Sequence, residues 1–166
     1  PSVDALSLGP LAEWLHRAET NGGDRQDWLN LANYDGLAAA LKAKRKWRRD
    51  GSVDQACISA AAIASDPNDR TEFAWWTKRA AINAGFTGEI GGRLFAAIDE
   101  FAHNVVEHSE QAASGYVVFA AAPGVFEFVV GDHGVGVVDT LRTNPRFANL
   151  NDAGTALELA LSEGVS

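Results

Sequence analysis

Methionine is absent from this 166-residue chain, cysteine occurs once, and no apolar run approaches the roughly 18 residues that a membrane-spanning helix needs. A single Cys57 excludes an internal disulfide and a zinc site built on several thiolates, so a reducing, cytoplasmic setting is the expectation. The opening PSVDALSLGP lacks the charged-then-apolar pattern of a secretory leader, and no membrane partner is expected. Basic residues are in deficit, 14 against 22 acidic ones, for a formal charge of −8. That balance argues against general affinity for nucleic acid, so a phosphate-bearing ligand would have to be held locally. Familiar catalytic signatures are missing as well. There is no GxxxxGK[ST] loop and no Gly-x-Ser-x-Gly elbow, and the glycines of GDHGVG are spaced opposite to a dinucleotide fingerprint. HNVVEH is no zinc motif, because His103 and His108 lie five residues apart, about 140° round a helix. The missing initiator and the ending SEGVS read as a piece of a longer polypeptide.

What is present suits one globular domain with a helical extension: 46% of residues are hydrophobic and 22% charged. From Leu11 to about Arg49 the chain is rich in Ala, Leu, Trp, Lys and Arg and poor in β-branched residues, which predicts two or three helices. The first, in LGPLAEWLHRAE, stops at Asn21-Gly22-Gly23, and Asp24 can cap a second. His16 reads as a surface helix residue, since no acidic residue follows it directly as in a histidine-kinase phosphoacceptor helix. Asp35 to Asp50 reads as a further helix with Leu37, Leu41 and Trp47 inward and Lys42, Lys44, Arg45, Lys46, Arg48 and Arg49 near its end, where the dipole favours cations. A solvated helix end balancing acidic neighbours is the simpler account of that cluster, a docking patch for an acidic partner the sharper one.

Val53 to Ser65 reads as a buried strand, with a short helix as the alternative. TEFAWWTKRAAINAGF is an amphipathic helix stopping at Gly85, with Phe73, Trp76 and Ala80 inward; Trp75, about 100° away from Trp76, is left for a partner contact. Thr87 to Arg93, with three glycines, reads as a loop. A helix over 94–109 follows, with Leu94, Ile98, Phe101 and Val105 as its apolar stripe. GYVVFAAA and GVFEFVVG form an antiparallel hairpin joined at Ala122-Pro123-Gly124. A short helix near Val138 to Arg142, a loop through Thr143-Asn144-Pro145 and a helix over roughly Asp152 to Glu163 complete the chain.

Beside the apolar stripe, Glu100, Asn104 and His108 recur every fourth residue, each about 40° further round the axis, so an acid, an amide and an imidazole line one margin of the core. The hairpin then delivers Asp132-x-Gly134-x-Gly136 to a strand end. DEFAHNVVEHS resembles the N-box of Bergerat-fold (GHKL) ATPases, and GDHGVG resembles their first glycine box, in the same order and separated by a hairpin. The ExxxNxxxH form is most similar to the anti-sigma-factor serine kinases of that group, and the resemblance spans roughly residues 55–166.

That resemblance implies an α+β two-layer sandwich of Bergerat type over residues 51–166, a mixed sheet covered on one face by the 70–84 and 94–109 helices, after a helical N-terminal extension over 1–50. It implies Mg-ATP as cofactor. Asn104 would ligate Mg2+, a hard cation satisfied by one or two protein oxygens, and Glu100 would orient or deprotonate the attacking water or hydroxyl. Asp132 would accept from the adenine amino group, Gly134 and Gly136 would let backbone approach the ring with torsions closed to other residues, and His108 would approach the phosphates. The family's glycine-rich lid would follow Ser166, leaving residues 137–166 as its first half. The implied activity is that of an ATPase or serine/threonine kinase in bacterial signalling, with a sigma factor, anti-anti-sigma factor or response regulator as protein partner and a homodimer left open. A regulatory interaction module that keeps the fold without catalysis, and the catalytic domain of a histidine kinase, are the alternatives. His103, His133 and Glu107 need no function, and Asp99 points about 100° away from Glu100.

Overall fold

The computed structural model describes residue 8 and residues 35–160. The expected helix ending at Asn21-Gly22-Gly23, the Asp24 cap and His16 lie outside the described residues, as does the last helix beyond Ala160. Among the described residues six helices and four strands follow one another as α1 (Asp35–Lys42), β1 (Trp47–Arg49), β2 (Asp54–Ser59), α2 (Ala60–Ser65), α3 (Pro67–Asn83), α4 (Gly88–His108), β3 (Tyr116–Ala122), β4 (Val125–Gly131), α5 (Val137–Arg142) and α6 (Ala153–Ala160). Single 3-10 turns at Ala112–Ser114 and Pro145–Phe147 fill two of the connections.

The strands make one sheet in the order β1-β2-β3-β4, and every pair is antiparallel. The expected mixed sheet is therefore corrected: the connection from β2 to β3 carries three helices yet returns the chain in the opposite direction. Alternation along the strands sorts side chains to two faces. Ala56, Ile58, Val117, Phe119 and Ala121 face α2, α3 and α4, where they meet Ile63, Phe73, Trp76, Ile98, Ala102 and Val105. Cys57, Val118 and Ala120 face the other way, onto Leu37 and Ala40 of α1 and onto Leu8. The arrangement is α+β and compatible with a two-layer sandwich, with α1 laid on the second face.

Several expected elements change at their ends. Val53 to Ser65 divides: the first half is the central strand β2, and at Ser59, whose hydroxyl accepts from the Ala62 amide at 3.2 Å, the alanine-rich remainder turns into α2. The expected long helix through Asp50 stops at Lys42. Arg45 N donates to Ala40 O and Lys44 N to Leu41 O, both at 3.0 Å, the paired bonds of a Schellman cap. Lys44 takes the left-handed position of that cap with φ 48, which costs a non-glycine residue about 1 kcal/mol. Trp47 then enters an edge strand. The basic cluster is thus no helix end; Lys46 pairs with Asp69 and Glu72 of α3, and Arg48 with Asp50.

The expected glycine loop before α4 is also corrected. Thr87 caps the helix, its hydroxyl accepting from the Ile90 amide at 3.2 Å, and Gly88, Gly91 and Gly92 lie within it. Gly91 is buried against α3, where a Cβ would stand 3.1 Å from the Lys78 Cα, so the glycine sets the distance between the two helices. α3 begins earlier than expected, at Pro67, behind an Asp66 cap that accepts from the Asn68 and Asp69 amides. Trp76 is buried while Trp75 stays 53% exposed, flanked by the guanidiniums of Arg48 and Arg79. The hairpin has the expected turn, Pro123 followed by Gly124 at φ 79, the type II pattern.

Candidate functional site

The candidate site joins the C-terminal half of α4 to the turn that follows β4. α4 buries Gly91, Ile98, Ala102 and Val105. Phe101, expected in that apolar stripe, is instead 51% exposed, its ring 6.2 Å from that of Phe128 on the edge strand β4. The core-facing arc is filled by the small Ala102, which lets α4 sit close to the sheet and leaves Phe101 at the margin. Glu100, Asn104 and His108 are all exposed along this margin. Among the described residues, the Glu100 and Asn104 side chains make no hydrogen bond or ion pair, so neither is engaged in holding the fold. His108 Nε2 stands 3.9 Å from the Glu107 carboxylate.

Asp99 belongs to a different arrangement. Arg70 of α3 grips it with two bonds, Nε to Oδ1 at 2.8 Å and Nη2 to Oδ2 at 2.7 Å. The guanidinium holds the Asp99 carboxyl below the usual carboxylate range, against an opposing effect of partial burial. His103 adds a bond between Nδ1 and the Asp99 carbonyl at 2.8 Å. These residues tie α3 to α4.

The turn is anchored by two serines. Ser109, the C-cap of α4, is buried; its carbonyl accepts from Val135 N at 2.8 Å, and its hydroxyl accepts from Gln111 N at 3.0 Å. Ser114 accepts from His133 N at 2.9 Å and donates to the Gln111 carbonyl at 2.8 Å. Asp132 Oδ1 accepts from Gly134 N at 2.7 Å, closing an Asx turn inside GDHG, so one carboxylate oxygen is committed and one remains. A Cβ on Gly134 would come within 1.9 Å of the Ser109 carbonyl oxygen. Backbone meets backbone there, and only glycine fits.

This revises the expected role of both glycines. Among the described residues the positive-φ glycines are Gly85 and Gly124, so neither Gly134 nor Gly136 supplies a torsion closed to other residues. Gly134 is needed for close approach to the helix end. Gly136, with φ −74 and ψ 162, is the N-cap of α5 and has open space where a Cβ would stand.

No family model, curated protein or solved structure matches this chain.

Ser109 and Ser114 were not singled out by the sequence pattern. Ser109 is the last residue of the expected 94–109 helix, but its partner Val135 lies across the whole hairpin. Beyond the turn, Arg142 knits the following segment together, donating to the Leu150 carbonyl at 2.6 Å and to Asp139 at 2.8 Å, and bonding Asn151. Asp152 caps α6 through Thr155 N at 2.6 Å, a bond that lowers its pKa. Among the described residues there is no group of three or more His, Cys, Asp or Glu placed to hold a metal ion, and no helix long and apolar enough to cross a membrane.

Proposed function

We propose that this chain is the ATP-binding domain of a Bergerat-type signalling ATPase or serine/threonine kinase, with Mg-ATP held between α4 and the Asp132 turn. One observation carries the reading: the turn bearing Asp132 is docked on the end of the helix bearing Glu100, Asn104 and His108, through Val135 N to Ser109 O at 2.8 Å. A base seated at Asp132 would direct its phosphates back along α4. Asn104 lies five residues before Ser109 and Glu100 nine, about 7 Å and 13 Å along the axis, which orders them as a nearer metal ligand and a farther general base. An exposed amide oxygen with no partner among the described residues suits a cation that keeps most of its waters, so Asn104 could supply one ligand to a magnesium ion brought by the nucleotide. Bound Mg-ATP would supply the transferable phosphoryl group. Glu100 would position or deprotonate the acceptor oxygen, and the uncommitted Asp132 oxygen would accept from the adenine amino group.

Thermal unfolding with and without millimolar Mg-ATP tests this. A rise in Tm is expected for the unaltered chain, because a ligand at 100 times its Kd stabilises by about 2.7 kcal/mol, with a shift of about 2 to 4 °C per kcal/mol at this size. The rise should disappear in Asn104→Ala and in Asp132→Ala. No shift in the unaltered chain would sink the proposal.

A regulatory module without turnover is the second reading, favoured by the exposed Trp75 and its flanking Arg48 and Arg79, a surface suited to a protein partner. Phosphate release that depends on Glu100 would decide for the enzyme.

A further inference from the structure

A concavity lies away from the Glu100 stripe, where the end of α1, the end of β2 and the start of β3 meet beneath the glycine turn. It is open to solvent at its mouth and is lined among others by Lys44, Arg45, Cys57, Ser114, Tyr116 and His133. Glu100, Asn104 and Asp132 do not line it. We propose that this cleft binds a small organic carboxylate with an apolar body.

The charge of the lining points to an anion. In a chain with a net charge of −8, no Asp or Glu is among the lining residues, while two permanent cations are. Lys44 and Arg45 make no ion pair with the described residues, although their neighbours Lys46 and Arg48 each hold carboxylates. Lys44 also occupies the left-handed cap position, φ 48, that glycine fills most easily. A lysine kept there against backbone preference puts a cation at the rim of the cleft, the kind of local strain that marks functional positions.

The floor decides which anion. Ala40, Leu41 and Cys57 make it apolar. Burial pushes the Cys57 thiol up to about 12, so the sulfur stays neutral and presents no competing charge. The nearby hydroxyls are already engaged, Ser59 by Ala62 N and Ser114 by His133 N and the Gln111 carbonyl. A guanidinium fork with a neighbouring ammonium holds carboxylate or phosphate alike, and it is the apolar floor that favours a carboxylate carried on an apolar body. An apolar body on that carboxylate would cover the floor.

Titration of the full chain with benzoate, followed by amide chemical shifts and calorimetry, tests the proposal, with inorganic phosphate and acetate as comparison probes. Saturable one-to-one binding of benzoate is expected, with shifts at Lys44, Gly115 and His133 and at least five-fold weaker binding of acetate and phosphate. Lys44→Gly removes the cation and relieves the left-handed strain, so it should keep or raise Tm while weakening benzoate at least five-fold. Arg45→Gln, at an exposed side chain, should weaken it similarly, and Asn104→Ala should leave it unchanged. Phosphate binding more tightly than benzoate, unchanged affinity in both cleft variants, or shifts confined to α4 would each overturn the assignment.

Discussion

The two ends of the candidate site are built on opposite terms. At the turn, Gly134 is pressed so closely on Ser109 that no side chain fits, and Asp132, His133 and Val135 are each tied by a hydrogen bond. Along α4, Glu100 and Asn104 stand exposed with no partner among the described residues. One end is fixed by the fold and the other is left to whatever binds. Changes at the docked end should therefore register in stability before any ligand is added, and changes on the stripe only once a ligand is present.

The sharpest way to break that contrast is Gly134→Ala, which forces backbone apart and should lower stability by about 3 kcal/mol, a fall of about 6 to 12 °C in Tm. An unchanged Tm would mean the turn is not docked as described. Gly131→Ala makes a graded comparison. A Cβ there meets the Tyr116 hydroxyl at 2.5 Å and its Cζ at 2.7 Å, side-chain rather than backbone atoms, so the expected loss in denaturant unfolding is smaller, about 2 kcal/mol.

Arg70→Gln removes the guanidinium from Asp99 on the side of α4 that is not part of the site. Half of Arg70 is exposed, so solvent screening keeps the loss at pH 7 below about 1 kcal/mol. The folded carboxyl titrates below its unfolded value near 3.9, so this contribution is present above that value and is lost as pH falls through the folded one. Urea midpoints of the two proteins should accordingly draw together as pH falls below about 3.9, and a gap that widens in acid would contradict the pairing. Smallest of all, Glu100→Gln, Asn104→Ala and Gly136→Ala should each leave ligand-free stability within about 0.5 kcal/mol by calorimetry. A larger loss at Asn104 would assign it a structural duty and weaken its claim as a metal ligand.

How much of this could be read from the chain follows from the range of the interactions. The hairpin was legible because Pro123-Gly124 states its own turn, and the polar stripe because helical spacing is local. β1 was not, since a run of lysines and arginines reads as a helix end, and only pairing of Arg48 with Ala56 makes it a strand. The glycines before α4 misled for the same reason: they look like a loop until α3 is placed against Gly91. Phe101 was misplaced because an apolar residue at helical spacing was assumed to face inward, whereas Ala102 fills that position. The candidate site divided along the same line. Its exposed residues could be named, while the serines that hold its turn depend on contacts across the hairpin.

The Ser109 carbonyl has a consequence for motion. It belongs to the end of α4, where helix carbonyls lack intrahelical donors, and its donor is Val135, 26 residues onward. Fraying of the last helical turn and release of the glycine turn are therefore one event with one opening equilibrium. In hydrogen exchange the amides of Ser109 and Val135 should report the same opening free energy, so occupancy at Asp132 would be felt as slower exchange at the end of α4.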